Sequence, residues 1–208
     1  TFYDFIFPLF LFIAGMSIPF STNKGLEQGF SKSQLYWKAF KRMLILIALG
    51  ILDKNAPTPF LDWSQIRFVG VLQRIGFAGF IVTILYLNFN TRSRIIWVAG
   101  LLLFYYAAMF LIPVPGYGAG DLSIEGNLHG WIDRNFLPGR LLQKTYDENG
   151  ILTQVPALCL TVLGTLAADI LRNESLTDLI KLRNLVISGS VCVAIGLLWG
   201  LHFPINKH

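Results

Sequence analysis

The sequence predicts an all-α, polytopic transmembrane helical bundle with about six spanning helices and one long, ordered extracytoplasmic loop. Of the 208 residues, 54% are hydrophobic and only 14% are charged, and the mean hydropathy is +0.56. Soluble domains carry roughly a quarter charged residues, so this composition indicates that lipid surrounds the chain. The apolar runs are long and lack alternation, which favours helices over the strands of a closed barrel.

Six segments are candidates to cross the membrane, because about 20 helical residues span a hydrocarbon core of about 30 Å. They are residues 5–20, 38–52, 68–87, 95–112, 151–171 and 185–203. The second is short as an apolar run, but the aromatic and basic residues of 36–42 suit a first turn at the membrane interface. Residues 1–208 therefore form a single transmembrane domain. Because the termini carry no leader or tail signal, we expect both ends to lie inside a longer protein.

The charges in the connections predict an orientation. Residues 21–42 carry five bases against one acid, whereas residues 113–150 carry five acids against three bases. By the positive-inside rule, 21–42, 88–94 and 172–184 face the cytoplasm, and Thr1, 53–67, 113–150 and the C-terminus face outside. The net charge of +5 therefore reflects topology, and no nucleic-acid partner is expected.

The outer loop, residues 113–150, interleaves apolar residues with glycines, which predicts order and a short helix over residues 130–136. If that helix forms, His129 and Asp133 share a face. A histidine beside a carboxylate suits acid–base chemistry. The interpretation that the sequence favours is that both side chains lie on a solvent-exposed face of the helix. Cysteine, histidine and acidic residues show no spacing typical of a metal site, so no metal is expected.

Ionisable groups inside a membrane are costly and therefore mark candidate functional residues. Arg74, beside Gln73, lies about two turns inside its span; the alternative is a scaffold role, by snorkelling or by pairing with Asp4, Asp53 or Asp62. Asp4 suits a helix N-terminal anion. The basic cluster at the cytoplasmic side is either a topology determinant or a site for an anionic nucleotide; it comprises Lys38, Lys41 and Arg42.

Four stretches together resemble the transmembrane acyltransferases related to heparan-α-glucosaminide N-acetyltransferase. They are YDFIFPLFLFIAGMS (residues 3–17), GVLQRIG (70–76), GWIDR (130–134) and YDENGIL (146–152). The similarity runs from Thr1 to about Lys207 and suggests a bacterial-type relative in the inner membrane. The resemblance implies that the whole protein moves an acetyl group from cytosolic acetyl-CoA to a glucosamine-type amino sugar outside.

The resemblance also implies roles for individual residues. The essential histidine of the family lies upstream of the position matching Thr1, so the catalytic residue is unknown here and the chain alone is expected to be inactive. Asp4 would position that histidine, and Gln73 and Arg74 would line the path of the acyl group. Sugar contacts would come from the outer loop, namely His129, Asp133, Arg134 and Asp147. The donor would meet Lys38, Lys41 and Arg42.

Two other classes of function fit the sequence. A transporter or flippase for a small polar or sugar substrate would also use a buried arginine, proline-broken helices and an outer loop. A structural membrane subunit without chemistry is the third interpretation. The lipid bilayer and an amino-sugar acceptor are the expected partners, and the sequence leaves open whether the protein forms a homo-oligomer.

Overall fold

The computed structural model describes residues 2–55 and 64–203, with side chains from Phe5 onward. These ranges contain seven helices: α1 (Phe2–Glu27), α2 (Lys32–Asn55), α3 (Val71–Asn88), α4 (Thr91–Leu111), α5 (Leu128–Phe136), α6 (Gln154–Arg172) and α7 (Asp178–Trp199). The all-helical bundle predicted from the sequence is confirmed. The predicted order of the outer loop is also confirmed, since the structure describes residues 113–150 throughout.

Several helices extend past the apolar runs that predicted them, because a helix can continue into the polar interface, where water or side chains satisfy its terminal backbone groups. α1 runs to Glu27, and α7 begins at Asp178 rather than at residue 185. α4 begins at Thr91 because the Asn90 side chain accepts a hydrogen bond from the Ser93 N–H at 2.9 Å. In contrast, α3 begins later than predicted, at Val71, so the preceding residues form an extended lead into the helix.

Five helices are long and apolar enough to cross a membrane: α1 over Phe5–Glu27, α3, α4, α6 and α7. The sequence predicted about six, and the difference is α2. Its 24 residues suffice in length, but its first half carries four lysine or arginine side chains. The crossing of the membrane by α2 therefore stays a prediction.

α1, α3 and α6 form the centre of the bundle, with α2 against α3, α4 against α6, and α7 at the periphery on α6. Two glycines bring the backbones of α1 and α6 together. A Cβ on Gly15 would lie 2.0 Å from the Thr161 carbonyl oxygen, and one on Gly164 would lie 2.2 Å from the Phe12 carbonyl oxygen. Small residues at such crossings are typical of membrane helix pairs, whose stability depends on close packing.

The short helix predicted over residues 130–136 is confirmed as α5. Asn127 caps it, because its side chain accepts a hydrogen bond from the Gly130 N–H at 2.6 Å. Leu128 packs with Ala108 and Met109 of α4. The outer loop therefore lies on the bundle instead of extending away from it, and it covers the end of the bundle where α3 begins.

Candidate functional site

An ion pair buried under the outer loop ties the loop to the lead into α3. Arg67 donates two hydrogen bonds to Asp147, from Nε at 2.8 Å and from Nη2 at 2.7 Å. The Asp147 side chain is 0% exposed, and its carboxylate also accepts the backbone N–H groups of Leu142 and Asn149. Because a buried carboxylate needs such partners, this bidentate pair fixes the position of residues 142–149.

Asp133 of α5 forms a second buried anchor beside the first. Its side chain is 0% exposed and accepts the N–H groups of Asp147 at 3.1 Å and Ile151 at 3.0 Å. His129 lies one turn before it, with Nε2 at 2.9 Å from Oδ2 of Asp133 and 2.9 Å from the Asp147 carbonyl oxygen. The two residues share a helical face as predicted, but this face points into the protein, where the sequence had favoured a solvated surface.

Arg134 is exposed, yet its guanidinium is also engaged by the loop. It donates to the carbonyl oxygens of Thr145 and Glu125, both at 2.8 Å. The four residues predicted to bind sugar hydroxyls are therefore brought together by the fold. In this structure their polar atoms hold the loop in shape.

The structure places Arg74 and Gln73 in the first turn of α3, below this loop. Arg74 is 7% exposed; its Nη2 donates to the Glu148 carbonyl oxygen at 2.7 Å and to the hydroxyl of Thr153. The guanidinium also lies over the ring of Phe7, 5.5 Å from its centroid. The predicted burial of Arg74 is thus confirmed, but its predicted depth of about two turns is wrong, because α3 begins at Val71 and Arg74 lies in the first turn.

The scaffold alternative for Arg74 included pairing with Asp4, Asp53 or Asp62. Among the described side chains, no carboxylate lies within ion-pair distance of Arg74, and Asp53 instead pairs with Lys54. The Asp4 side chain and Asp62 lie outside the described residues, so the predicted role of Asp4 stays a prediction. Gln73 is 9% exposed, and neither atom of its amide has a hydrogen-bond partner in the described part of the chain.

A cavity of about 200 Å³ lies between α1, α2 and α3, and α3 lines it from Ile75 to Thr83. Lys38 and Arg42 of α2 line it, together with Thr22 of α1 and Thr83 of α3. Lys41 does not line the cavity; its Nζ lies over the Trp37 ring, 5.3 Å from the centroid. The basic cluster predicted as a donor site is therefore divided, with two of its three members at one cavity.

Two charged residues with important packing roles were missed by the sequence reasoning. Arg94, assigned to a cytoplasmic connection, is 3% exposed and pairs with Asp169 of α6, and it donates to the Thr165 hydroxyl at 2.8 Å. Arg67, assigned to an outer connection, is the partner of Asp147. The acid at the end of an apolar run, Asp169, was the available signal, because such a group requires a partner.

The basic side chains around the cavity fit an anionic ligand, and the first turn of α3 offers an arginine and an amide under the outer loop. No group of three His, Cys, Asp or Glu side chains that could hold a metal occurs within residues 2–55 and 64–203.

Residues 1–197 match the family described as heparan-alpha-glucosaminide N-acetyltransferase, catalytic. The human protein named heparan-alpha-glucosaminide N-acetyltransferase (Homo sapiens) is 31% identical over 215 residues, covering 81% of this chain and 32% of that protein. Its mouse counterpart (Mus musculus) is 30% identical, with 81% and 33% covered. The chain thus spans about a third of the length of these curated relatives. It belongs to the heparan-alpha-glucosaminide N-acetyltransferase family.

Proposed function

We propose that the whole protein is a membrane acetyltransferase that moves an acetyl group from cytosolic acetyl-CoA to the amino group of a glucosamine-type sugar outside the membrane. Membership of the family supports the reaction class, and the names of the relatives supply the acceptor type. Five apolar helices support an integral, multi-pass location. A bacterial inner membrane is the proposed compartment, with the outer loop on its far side.

The observation that carries this proposal is the burial of the Arg74 guanidinium without an ion pair to any described side chain. Its guanidinium is buried, and it is bonded only to a carbonyl oxygen and a hydroxyl of the described residues. Burying a charged group away from water costs on the order of several kcal/mol, unless an opposite charge lies close enough to offset that cost. A buried charge whose hydrogen-bond partners among the described residues are neutral supports a functional role for Arg74.

The cavity between α1, α2 and α3 is the proposed site for the anionic end of the donor. Lys38 and Arg42 are exposed at its mouth and would neutralise phosphate groups. Lys41 would raise the local positive potential only. Ala14 and Ile75 also line the cavity, and Ile75 follows Arg74 directly in α3. A donor held at the mouth would therefore direct its other end toward the level of Arg74.

The outer loop is the proposed acceptor side. Because Asp133 and Asp147 are fully buried, we propose that they and His129 shape the acceptor site by holding the loop, without contacting the sugar. Arg134 is at the loop surface and would join them by fixing two loop segments. Asp4, at the start of α1, would lie near this site. It would position the essential histidine of the family, which the resemblance places upstream of Thr1.

The proposal is tested by transfer of radiolabel from acetyl-CoA to glucosamine, using the full-length protein in membranes. We expect labelled N-acetylglucosamine from the unsubstituted protein and at least about a hundred-fold less from Arg74→Ala, as for loss of a transition-state donor. Uptake of labelled glucosamine without acetylation would instead support the transporter or flippase alternative. Neither uptake nor transfer, in folded protein, would support a structural subunit.

A further inference from the structure

The N-terminus of α3 brings together polar groups that have no partners. The N-cap residue, Gly70, provides no side-chain cap, and the first N–H groups of any helix lack acceptors within the helix. Both amide atoms of Gln73 and the Nε of Arg74 are buried and without a hydrogen bond to the described residues. A buried polar group without a partner loses its hydration without compensation, so the clustering of such groups at one point requires an explanation.

The Gln73 amide is held over this helix end by two glycines. A Cβ on Gly50 of α2 would lie 2.3 Å from Oε1 of Gln73, and one on Gly70 would lie 2.9 Å from the same atom. Any larger residue at Gly50 would therefore displace the amide. Gln73 is only 9% exposed. Packing against α2 and the N-cap residue therefore fixes the position of its amide.

The character of this cluster is that of an anion site. A helix N-terminus carries about half a positive charge, and Arg74 adds a full one. The site lies in the first turn of α3. It is directly under Glu148 of the outer loop and Thr153, the residue before α6. Free donors and positive charge in a dry environment are what a negative charge on oxygen needs for stabilisation.

We infer that the first turn of α3, with the Gln73 amide and the Arg74 guanidinium, binds the oxyanion that forms on the acetyl group during transfer. This inference rests on the proposed function. The amine nitrogen attacks the thioester carbonyl carbon with its lone pair, and the carbonyl π electrons move to oxygen. The oxyanion then reforms the carbonyl, the C–S bond breaks, and the amine proton ends on the departing CoA thiolate.

The decisive variant is Gln73→Leu in the full-length protein, assayed for acetyl transfer to glucosamine. Losing one oxyanion donor lowers kcat by about a hundred-fold or more, while the KM for acetyl-CoA stays unchanged. Because replacing an unpaired buried amide with an apolar group is close to neutral for stability, the melting temperature should not fall. This separates the inference from a merely structural role, which would lower the melting temperature.

Gly50→Ala provides a second test, because it displaces the Gln73 amide without changing it. We expect a similar loss of kcat. Gly100→Ala is the matched control: it also adds a methyl group to a spanning helix, but nothing lies within 4 Å of that position. The control should keep full activity.

Three results would overturn the inference. The first is a kcat for Gln73→Leu within about threefold of the unsubstituted protein, a change too small for loss of an oxyanion donor. The second is a loss expressed only in KM, and the third is a lower melting temperature without loss of kcat. In each case transfer by the unsubstituted protein would leave the proposed function standing. If the unsubstituted protein transfers nothing, the proposed function fails and the inference with it.

Discussion

At the scale of single residues, the candidate sites depend on where charged side chains lie in the fold. The burial of Arg74 follows from its place within an apolar segment, and the structure agrees at 7% exposure. The pairing of Arg67 with Asp147 joins positions 80 residues apart, so no local pattern contains it. Similarly, whether Lys38, Lys41 or Arg42 lines a cavity depends on where α1 and α3 lie, and the sequence of α2 does not contain that information.

The division of the basic cluster gives a prediction at this scale. Lys38→Ala and Arg42→Ala should raise the KM for acetyl-CoA about five- to tenfold each, since a charge-assisted hydrogen bond is worth about 1.5 kcal/mol or more. Lys41→Ala is the matched control, because Lys41 faces Trp37, and its KM should change by less than about twofold. Steady-state kinetics in membranes measure all three. Equal effects at the three positions would contradict the assigned donor site.

The buried pair of Arg67 and Asp147 gives a second prediction. Asp147→Asn leaves the guanidinium buried without its charge partner, which costs about 3–5 kcal/mol. We expect proteases to cut within residues 113–150 of this variant in detergent, where the unsubstituted loop is protected. Glu125→Gln, at an exposed carboxylate in the same loop, is the control and should stay resistant. Protection of the Asp147→Asn loop would show that the pair does not hold it.

At the scale of helices, local patterns predict existence well and boundaries less well. α5 follows from its capping asparagine and apolar spacing, and both features are contained in its own sequence. The start of α7 at Asp178 was missed because an apolar run marks where lipid begins, and a helix is free to begin earlier. Membrane crossing by α2 stays a prediction, because four basic side chains lower the hydropathy of its first half.

The crossing of α1 and α6 gives a prediction for a pair of elements. Gly15→Val should separate the two helices, because its Cβ would meet the Thr161 carbonyl oxygen at 2.0 Å. We expect a loss of about 1–3 kcal/mol of stability or more, as for overpacking a close-packed interior. A melt monitored by size-exclusion chromatography in detergent measures it. Gly79→Val, with open space around the position, is the control; equal melting of both variants would contradict close packing at this crossing.

At the scale of the whole molecule, the two sites lie along the same helix, whose residues from Ile75 to Thr83 line the cavity. Thr83 of α3 lines the basic cavity, whereas Gln73 and Arg74 lie in its first turn under the outer loop. Ten residues of helix separate Thr83 from Gln73, a rise of about 15 Å. Transfer between two compartments, as proposed, would use both of these sites.

The most direct test of transfer across the membrane uses sealed, inside-out vesicles containing the full-length protein. Labelled acetyl-CoA is supplied outside, at the cytoplasmic face, and glucosamine is enclosed within. If the protein transfers acetyl groups across the membrane, labelled N-acetylglucosamine should form in the vesicle interior, and this product should be absent from vesicles that contain the Arg74→Ala variant. Product that forms only when donor and acceptor share one side, or equal product from Arg74→Ala, would contradict this prediction.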